Sequence, residues 1–344
     1  MLTREEEEDM CMQHMNSIRA CLAGSGYGAF REPATIDHLI SLVATPKTGV
    51  VSVAYVGTAT YDLAEGQAEQ TSLLLQRGCT VRPIQVADPA VKSVNDDDRH
   101  FIKATADIVL VSGGNTLYAV RRWEETGLAQ LLKDAAARQV VLAGGSAGAI
   151  CWFTSGHSDS ADPATYLQAS LKMATLKAGL VPQDQITKME AELAELSTSW
   201  SYIRVHGLNI LAGLLCPHFD VTHGNGVRRE EDFTKMLKRH PTERGIGLDH
   251  WALLILKGDG AYEIVALPGK SRVPTSGDAS SSAAVPGVFI LDVVDGAVQR
   301  RRMPTTGLLS DLLRVPTGPV VSDPFERFHA MENPTASSGS LMQR

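Results

Sequence analysis

The feature that most constrains this chain is a repeated alternation of short apolar runs with segments of helical spacing. Gly49 to Gly57 is an apolar run of strand length that closes in glycine. Helical spacing follows over Ala64 to Arg77, then a strand over Thr80 to Val86 and a helix over Asn95 to Ala106. Ile108 to Val111 reads as a buried strand, Leu117 to Thr126 and Leu128 to Arg138 as two helices, and Val140 to Ala143 as the next buried strand. Runs this short and β-branched suit buried strands rather than buried helices. Strands apolar throughout that alternate with helices predict an α/β fold whose parallel sheet is covered on both faces. An earlier strand at Ala20 to Gly24 opens a glycine loop, and Ile36 to Val43 has the pattern of a short amphipathic helix.

Later strands are expected at Gly245 to Leu248, Ala252 to Leu256 and Val288 to Val294. The alternation lapses over about 161–206, where Asp184 to Thr198 carries Ile186, Met189, Leu193 and Leu196 at near-helical spacing among carboxylates. Residues 1–19 form an acidic lead-in, a short helix or a disordered tail. Residues 271–287 form a small-residue loop, expected to be mobile, and 321–344 a tail of little order. The main globular unit is expected over 20–320.

Charge and cysteine content narrow the classes. A formal net charge of −7 argues against nucleic-acid binding, which calls for a basic stripe. Five scattered cysteines with no C-x-x-C pair give neither a disulfide framework nor a zinc site and suit a reducing compartment. An acidic start at Glu5 to Asp9 is unlike a secretory signal, and no run reaches the ~18 apolar residues of a membrane helix. The expectation is a cytoplasmic protein, monomer or homodimer, that binds no nucleic acid or membrane.

The chemistry concentrates where strands end. Ser146, in Gly144-Gly145-Ser146-Ala147-Gly148, follows a buried strand, and Ala149 to Phe153 suggests a helix beyond it. That is the strand–turn–helix setting of a nucleophile elbow, in which small neighbours let the turn close and the helix start aims N–H groups at an oxyanion. The same turn could serve phosphate binding or packing, but no lysine follows the glycines and no G-x-G-x-x-G follows the first strand. A second glycine turn, Ser112-Gly113-Gly114-Asn115-Thr116, also follows a buried strand. Adjacent parallel strands end on one side, so the two turns can face each other across a crevice. A serine needs a base, and His218 stands out among ten histidines because Leu214 to Asp220 reads as a strand that delivers it. His157 closely follows the expected elbow helix and His223 and His250 lie in loops or strand ends, where a solvated or core imidazole is the ordinary reading. Asp159 and Asp249 are both open as the third group.

Together, Ser-Gly-Gly-Asn-Thr at 112–116, Gly-Gly-Ser-Ala-Gly-Ala at 144–149, Cys-Pro-His-Phe-Asp at 216–220 and Arg229 with Phe233 resemble peptidase E, the α-aspartyl dipeptidase, and relatives such as cyanophycinase (family S51). The likeness covers roughly 20–160 and 205–267. It implies a three-layer, mostly parallel, flavodoxin-like sandwich similar to class I glutamine amidotransferases. It further implies Ser146 as nucleophile, His218 as base, and Asp159 as acid with Asp249 as the alternative. Gly114 and Ala147 would form the oxyanion hole, and Arg229 and Asn115 would bind substrate. No metal or organic cofactor is implied.

The implied activity is hydrolysis of dipeptides with N-terminal aspartate through an acyl-enzyme. A cyanophycinase-like exopeptidase and a silent binding protein on the same scaffold are the alternatives. An α/β-hydrolase esterase is disfavoured because no HGGG-type segment occurs, and a cysteine amidotransferase because serine occupies the elbow. The chain departs from the short bacterial form in its acidic lead-in, an insertion at about 165–206 and the loop at 271–287.

Overall fold

The computed structural model of the protein describes residues 3–162, 165, 187–188, 191, 200–273 and 284–320. The expected helix at Asp184 to Thr198, most of the 165–206 insertion, the middle of the 271–287 loop and the 321–344 tail lie outside the described residues. Helix α1 (Arg4–Asn16) leads into β1 (Arg19–Ala23), and α2 (Tyr27–Phe30) and α3 (Pro33–Ser41) precede β2 (Ser52–Val56). Then follow α4 (Ala64–Gln76), β3 (Thr80–Ile84), α5 (Asp96–His100), β4 (Ile108–Val111), α6 (Thr116–Thr126), α7 (Leu128–Ala137) and β5 (Val141–Gly145). After α8 (Ala147–Ile150) come β6 (Phe153–Ser158), β7 (Ile203–His206), β8 (Leu211–Cys216) and α9 (Arg229–Arg239). The chain closes with β9 (Gly245–Leu248), β10 (Ala252–Lys257), β11 (Ala261–Ala266), β12 (Val288–Val294), β13 (Ala297–Arg302), β14 (Thr306–Leu308) and α10 (Leu309–Leu312).

The alternating half of the sequence builds one side of an eight-stranded sheet, out to its β3 edge, in order β14-β11-β10-β1-β5-β4-β2-β3. Strands β1, β5, β4, β2 and β3 pair in parallel, with Leu22 opposite Gly144 and Val111 opposite Gly144 on the other side. Both faces are buried, which is why β4 is apolar at every position. Along β1, Cys21 and Ala23 pack against Phe30, Ile36 and Leu39 on one face, while Ala20 and Leu22 join the larger core on the other. The parallel α/β expectation holds in this half.

A second sheet, in order β13-β12-β9-β8-β6-β7, was not foreseen as a separate unit. It shares the larger core with the first sheet, through Leu215 and Ile246 on its side and Leu142 and Leu254 on the other. Its outer face is covered by α9, whose Phe233, Met236 and Leu237 pack with Leu214, Phe219 and Phe289. The helix expected through Phe153 stops at Ile150, and Phe153 instead opens β6. The segment 208–211 takes the carbonyls a longer helix would keep. Leu208 donates to Cys151, Ile210 and Leu211 to Trp152, and Asn209 to Phe153.

The acidic lead-in is ordered as α1, closed at its start by a capping box between Thr3 and Glu6. Its end is tied to the core, because Met15 is fully buried and its Sδ accepts from the Ala212 N–H at 3.2 Å. Among the described residues no helix is long and apolar enough to cross a membrane.

Candidate active site

Ser146 stands between β5 and α8 with φ 54° and ψ −118°, a backbone conformation that costs a side-chain-bearing residue roughly 1–3 kcal/mol. The surrounding contacts hold it there. The Ser146 N–H donates to the Ala23 carbonyl at 3.1 Å, at the end of β1. Gly145 must lack a side chain, since a Cβ there would lie 2.1 Å from the Ser25 carbonyl oxygen. The second glycine turn does face the serine, for a Cβ placed on Gly113 would lie 3.7 Å from Ser146 Cβ. Gly114 adopts φ +123° and passes so close to Ala59 that a Cβ would meet its carbonyl oxygen at 2.3 Å. Ala147 opens α8, so its N–H has no acceptor within the helix.

His218 is delivered by β8 as its sequence suggested, two residues past the strand end. Its N–H donates to the Gly24 carbonyl at 3.1 Å. The successive carbonyls of Ala23 and Gly24 therefore anchor Ser146 and His218, which brings residues 72 positions apart in sequence onto one strand end. His218 takes φ 50° and its ring is half-buried. Burial, Arg229, His250 and His223 push its pKa well below the ordinary imidazole value, with Asp159 pulling weakly the other way. Such a ring is neutral at pH 7, the state a base requires.

The two carboxylates considered for the third role are engaged elsewhere. Asp159 Oδ2 accepts from Arg229 Nη1 at 3.1 Å and lies 3.3 Å from His223 Nδ1. Burial raises its pKa, but Arg229 and His223 more than offset this and hold the carboxyl well below the usual range. Asp249 is fully buried, 3.0 Å from Arg272 Nε, and accepts from the Gly287 N–H at 2.9 Å. Burial and the Asp220 carboxylate push Asp249 up to about 7 against the pull of Arg272.

The two residues expected at the substrate are turned inward. Arg229 is fully buried, donates to the His157 carbonyl at 2.6 Å as well as to Asp159, and lies over the Tyr202 ring at 5.0 Å. Neither a solvated arginine neutralised by its own helix nor a fork held out to a ligand describes it. Asn115 is fully buried as the N-cap of α6, accepts from the Tyr118 N–H at 3.0 Å and donates to Tyr61 Oη at 3.2 Å. Its local hydrogen bonds explain why asparagine follows the glycine turn. His157 is also interior, 2.9 Å from Asp232, with its pKa pushed down to about 4 by burial.

Sequence reasoning set His250 below His218 and gave it no role, yet its Nδ1 lies 2.6 Å from His218 Nδ1. Its only sequence signal was its place just past a strand end, shared by many histidines.

Ser146, strained at its strand–helix turn, and His218 are thus tied by their backbones to adjacent carbonyls, those of Ala23 and Gly24. The sequence profile of peptidase family S51 matches residues 21–264, and the chain belongs to that family. It is 34% identical over 96% of its length to a Trypanosoma brucei brucei protein named G2/mitotic-specific cyclin-1, covering 97% of that protein. Nothing in the fold or site of this chain accounts for that name. Over 63 residues it is 49% identical to the uncharacterised peptidase YgaJ of Bacillus subtilis strain 168, a match covering 18% of this chain and 27% of that one. Among solved structures, a peptidase from an acI-B1 actinobacterium superposes with a TM-score of 0.50 at 19% identity, covering 85% of this chain and 96% of that one.

Proposed function

We propose that the chain is a serine-type dipeptidase or exopeptidase that works through an acyl-enzyme on Ser146. The observation that carries the reading is the joint anchoring of the strained Ser146 and of His218 on the successive carbonyls of Ala23, which ends β1, and Gly24 just past it. In this reading Ser146 Oγ attacks the peptide carbonyl carbon while His218 Nε2 takes the hydroxyl proton. The N–H groups of Gly114 and Ala147 receive the oxyanion. His218 then gives the proton to the departing amine as the C–N bond breaks. Water, deprotonated by the same ring, attacks the ester and releases the acid and free Ser146.

N-terminal aspartate is the preferred substrate class on the strength of the family resemblance. Arg229 offers it no direct support, since its two Nη atoms are engaged by Asp159 and by the His157 carbonyl inside the protein. Turnover of Asp-Leu, Ala-Leu and a β-aspartyl-arginine dipeptide tests the specificity. Preference for Asp-Leu upholds it. Equal cleavage of Ala-Leu removes the aspartyl preference, and cleavage of the β-aspartyl substrate alone moves the chain to the cyanophycinase-like class. Turnover of none would favour a binding protein.

A further inference from the structure

We propose that His250 is the positioning partner of the base, completing a Ser146–His218–His250 array; this rests on the serine-peptidase reading above. The 2.6 Å contact joins the two Nδ1 atoms, so one ring donates and the other accepts through a single hydrogen. For His218 Nε2 to accept the serine proton, its Nδ1 must carry that hydrogen. His250 then accepts at Nδ1 and keeps its own hydrogen on Nε2. The bond fixes both the tautomer and the rotation of the base, the service a carboxylate gives in a Ser-His-Asp array.

The surroundings hold His250 for this service. Its backbone N–H donates to Asp220 Oδ1 at 2.8 Å, and Asp220 Oδ2 in turn accepts from the Val273 N–H at 3.2 Å. The Trp251 ring packs edge-on against it, with centroids 4.4 Å apart. Asp159 and Asp249, the two expected carboxylates, have other partners.

The charges also favour a shared hydrogen between neutral rings. Around His218 stand Arg229, His250 and His223 against Asp159; around His250 stand His223, Arg229 and Lys270 against Asp220. Burial, with His223, Arg229 and Lys270, holds His250 below the ordinary imidazole value against the pull of Asp220. No proton passes to His250 during the reaction; it gives a neutral lone pair to the imidazolium that forms on His218.

The test measures kcat, KM and the pH profile of Asp-Leu hydrolysis for His250→Ala, His250→Asn and His250→Asp, beside Ser146→Ala and His218→Ala. His250→Ala should lower kcat by about 100-fold with KM little changed. His250→Asn, whose amide oxygen can stand where Nδ1 accepts, should recover about tenfold of that loss. His250→Asp should move the acid limb of kcat/KM upward, because an anion beside Nδ1 favours the imidazolium.

Proton NMR gives a readout independent of turnover and substrate. The ring proton shared by the two histidines should resonate far downfield and vanish in His250→Ala. Thermal unfolding of each variant separates a lost fold from a lost hydrogen bond. Wild-type kcat in His250→Ala, an unmoved acid limb in His250→Asp, or a downfield resonance that survives removal of His250 would each overturn the proposal. If Ser146→Ala keeps full activity, the serine-peptidase reading falls instead. If Ser146→Ala and His218→Ala are inactive while His250→Ala is not, only the role of His250 falls.

Discussion

Arg229 and Asp159 show how much a single buried pair decides around this site. Arg229 is fully buried and receives its compensating charge from Asp159, whose side chain is only 18% exposed. Replacing Asp159 by Asn leaves a buried cation without a counter-charge, a change that costs about 3–5 kcal/mol. Urea unfolding of Asp159→Asn at pH 7 measures this, and an unchanged midpoint would contradict it. The pH dependence has a fixed sign. The folded carboxyl titrates below its unfolded value of about 3.9, so the unfolded chain binds more protons at low pH. The pair's stabilisation is complete above about pH 4 and is lost as pH falls below that. Asp159→Asn should therefore flatten the acid limb of stability. Arg229 was legible in sequence as a residue at a helix start, but its direction was not. Nothing local says that a guanidinium beside three acidic residues turns away from them toward a carboxylate 70 positions earlier.

At the scale of elements, the elbow was readable because its physics is local. A serine between a glycine and an alanine after an apolar strand has small neighbours on both sides, and the structure shows why at Gly145, where the Ser25 carbonyl leaves no room for a Cβ. Gly145→Ala should separate β5 from the loop after β1 and destabilise the protein by about 3 kcal/mol or more. It should also release Ser146 from its strained backbone, so kcat should fall further than stability alone accounts for. Thermal unfolding together with kcat at a temperature where the variant is folded checks both effects. The end of the following helix was not readable. Ala149 to Phe153 is compatible with either state, and the choice was made by carbonyl partners from 208–211, far along the chain. The strand that delivers His218 was legible from its apolar run, whereas the His250 contact arises from a loop meeting it across two sheets.

At the scale of the whole molecule, the parallel part of the first sheet followed from alternation, while the second sheet did not. Its strands β6, β7, β8, β9, β12 and β13 mix parallel and antiparallel pairings across long sequence gaps, so no short-range pattern marks them as one unit. The two sheets and α1 meet in one apolar core that contains Met15, Leu142, Trp152, Leu215 and Leu254. Met15→Ala should therefore cost about 2–5 kcal/mol despite lying at the edge of an acidic segment. A urea midpoint equal to wild type would show that α1 is only a surface attachment. Strands β1 and β5 contribute Ala20, Leu22 and Leu142 to this core and Cys21, Ala23 and Ala143 to the core on the opposite face.

The most direct test of the central claim is single-turnover hydrolysis of Asp-Leu by the wild-type protein and by Ser146→Ala. The account predicts cleavage by the wild type and a loss of several orders of magnitude in the variant, with the fold intact by circular dichroism. Cleavage at an undiminished rate by Ser146→Ala would contradict it and remove Ser146 from the chemistry.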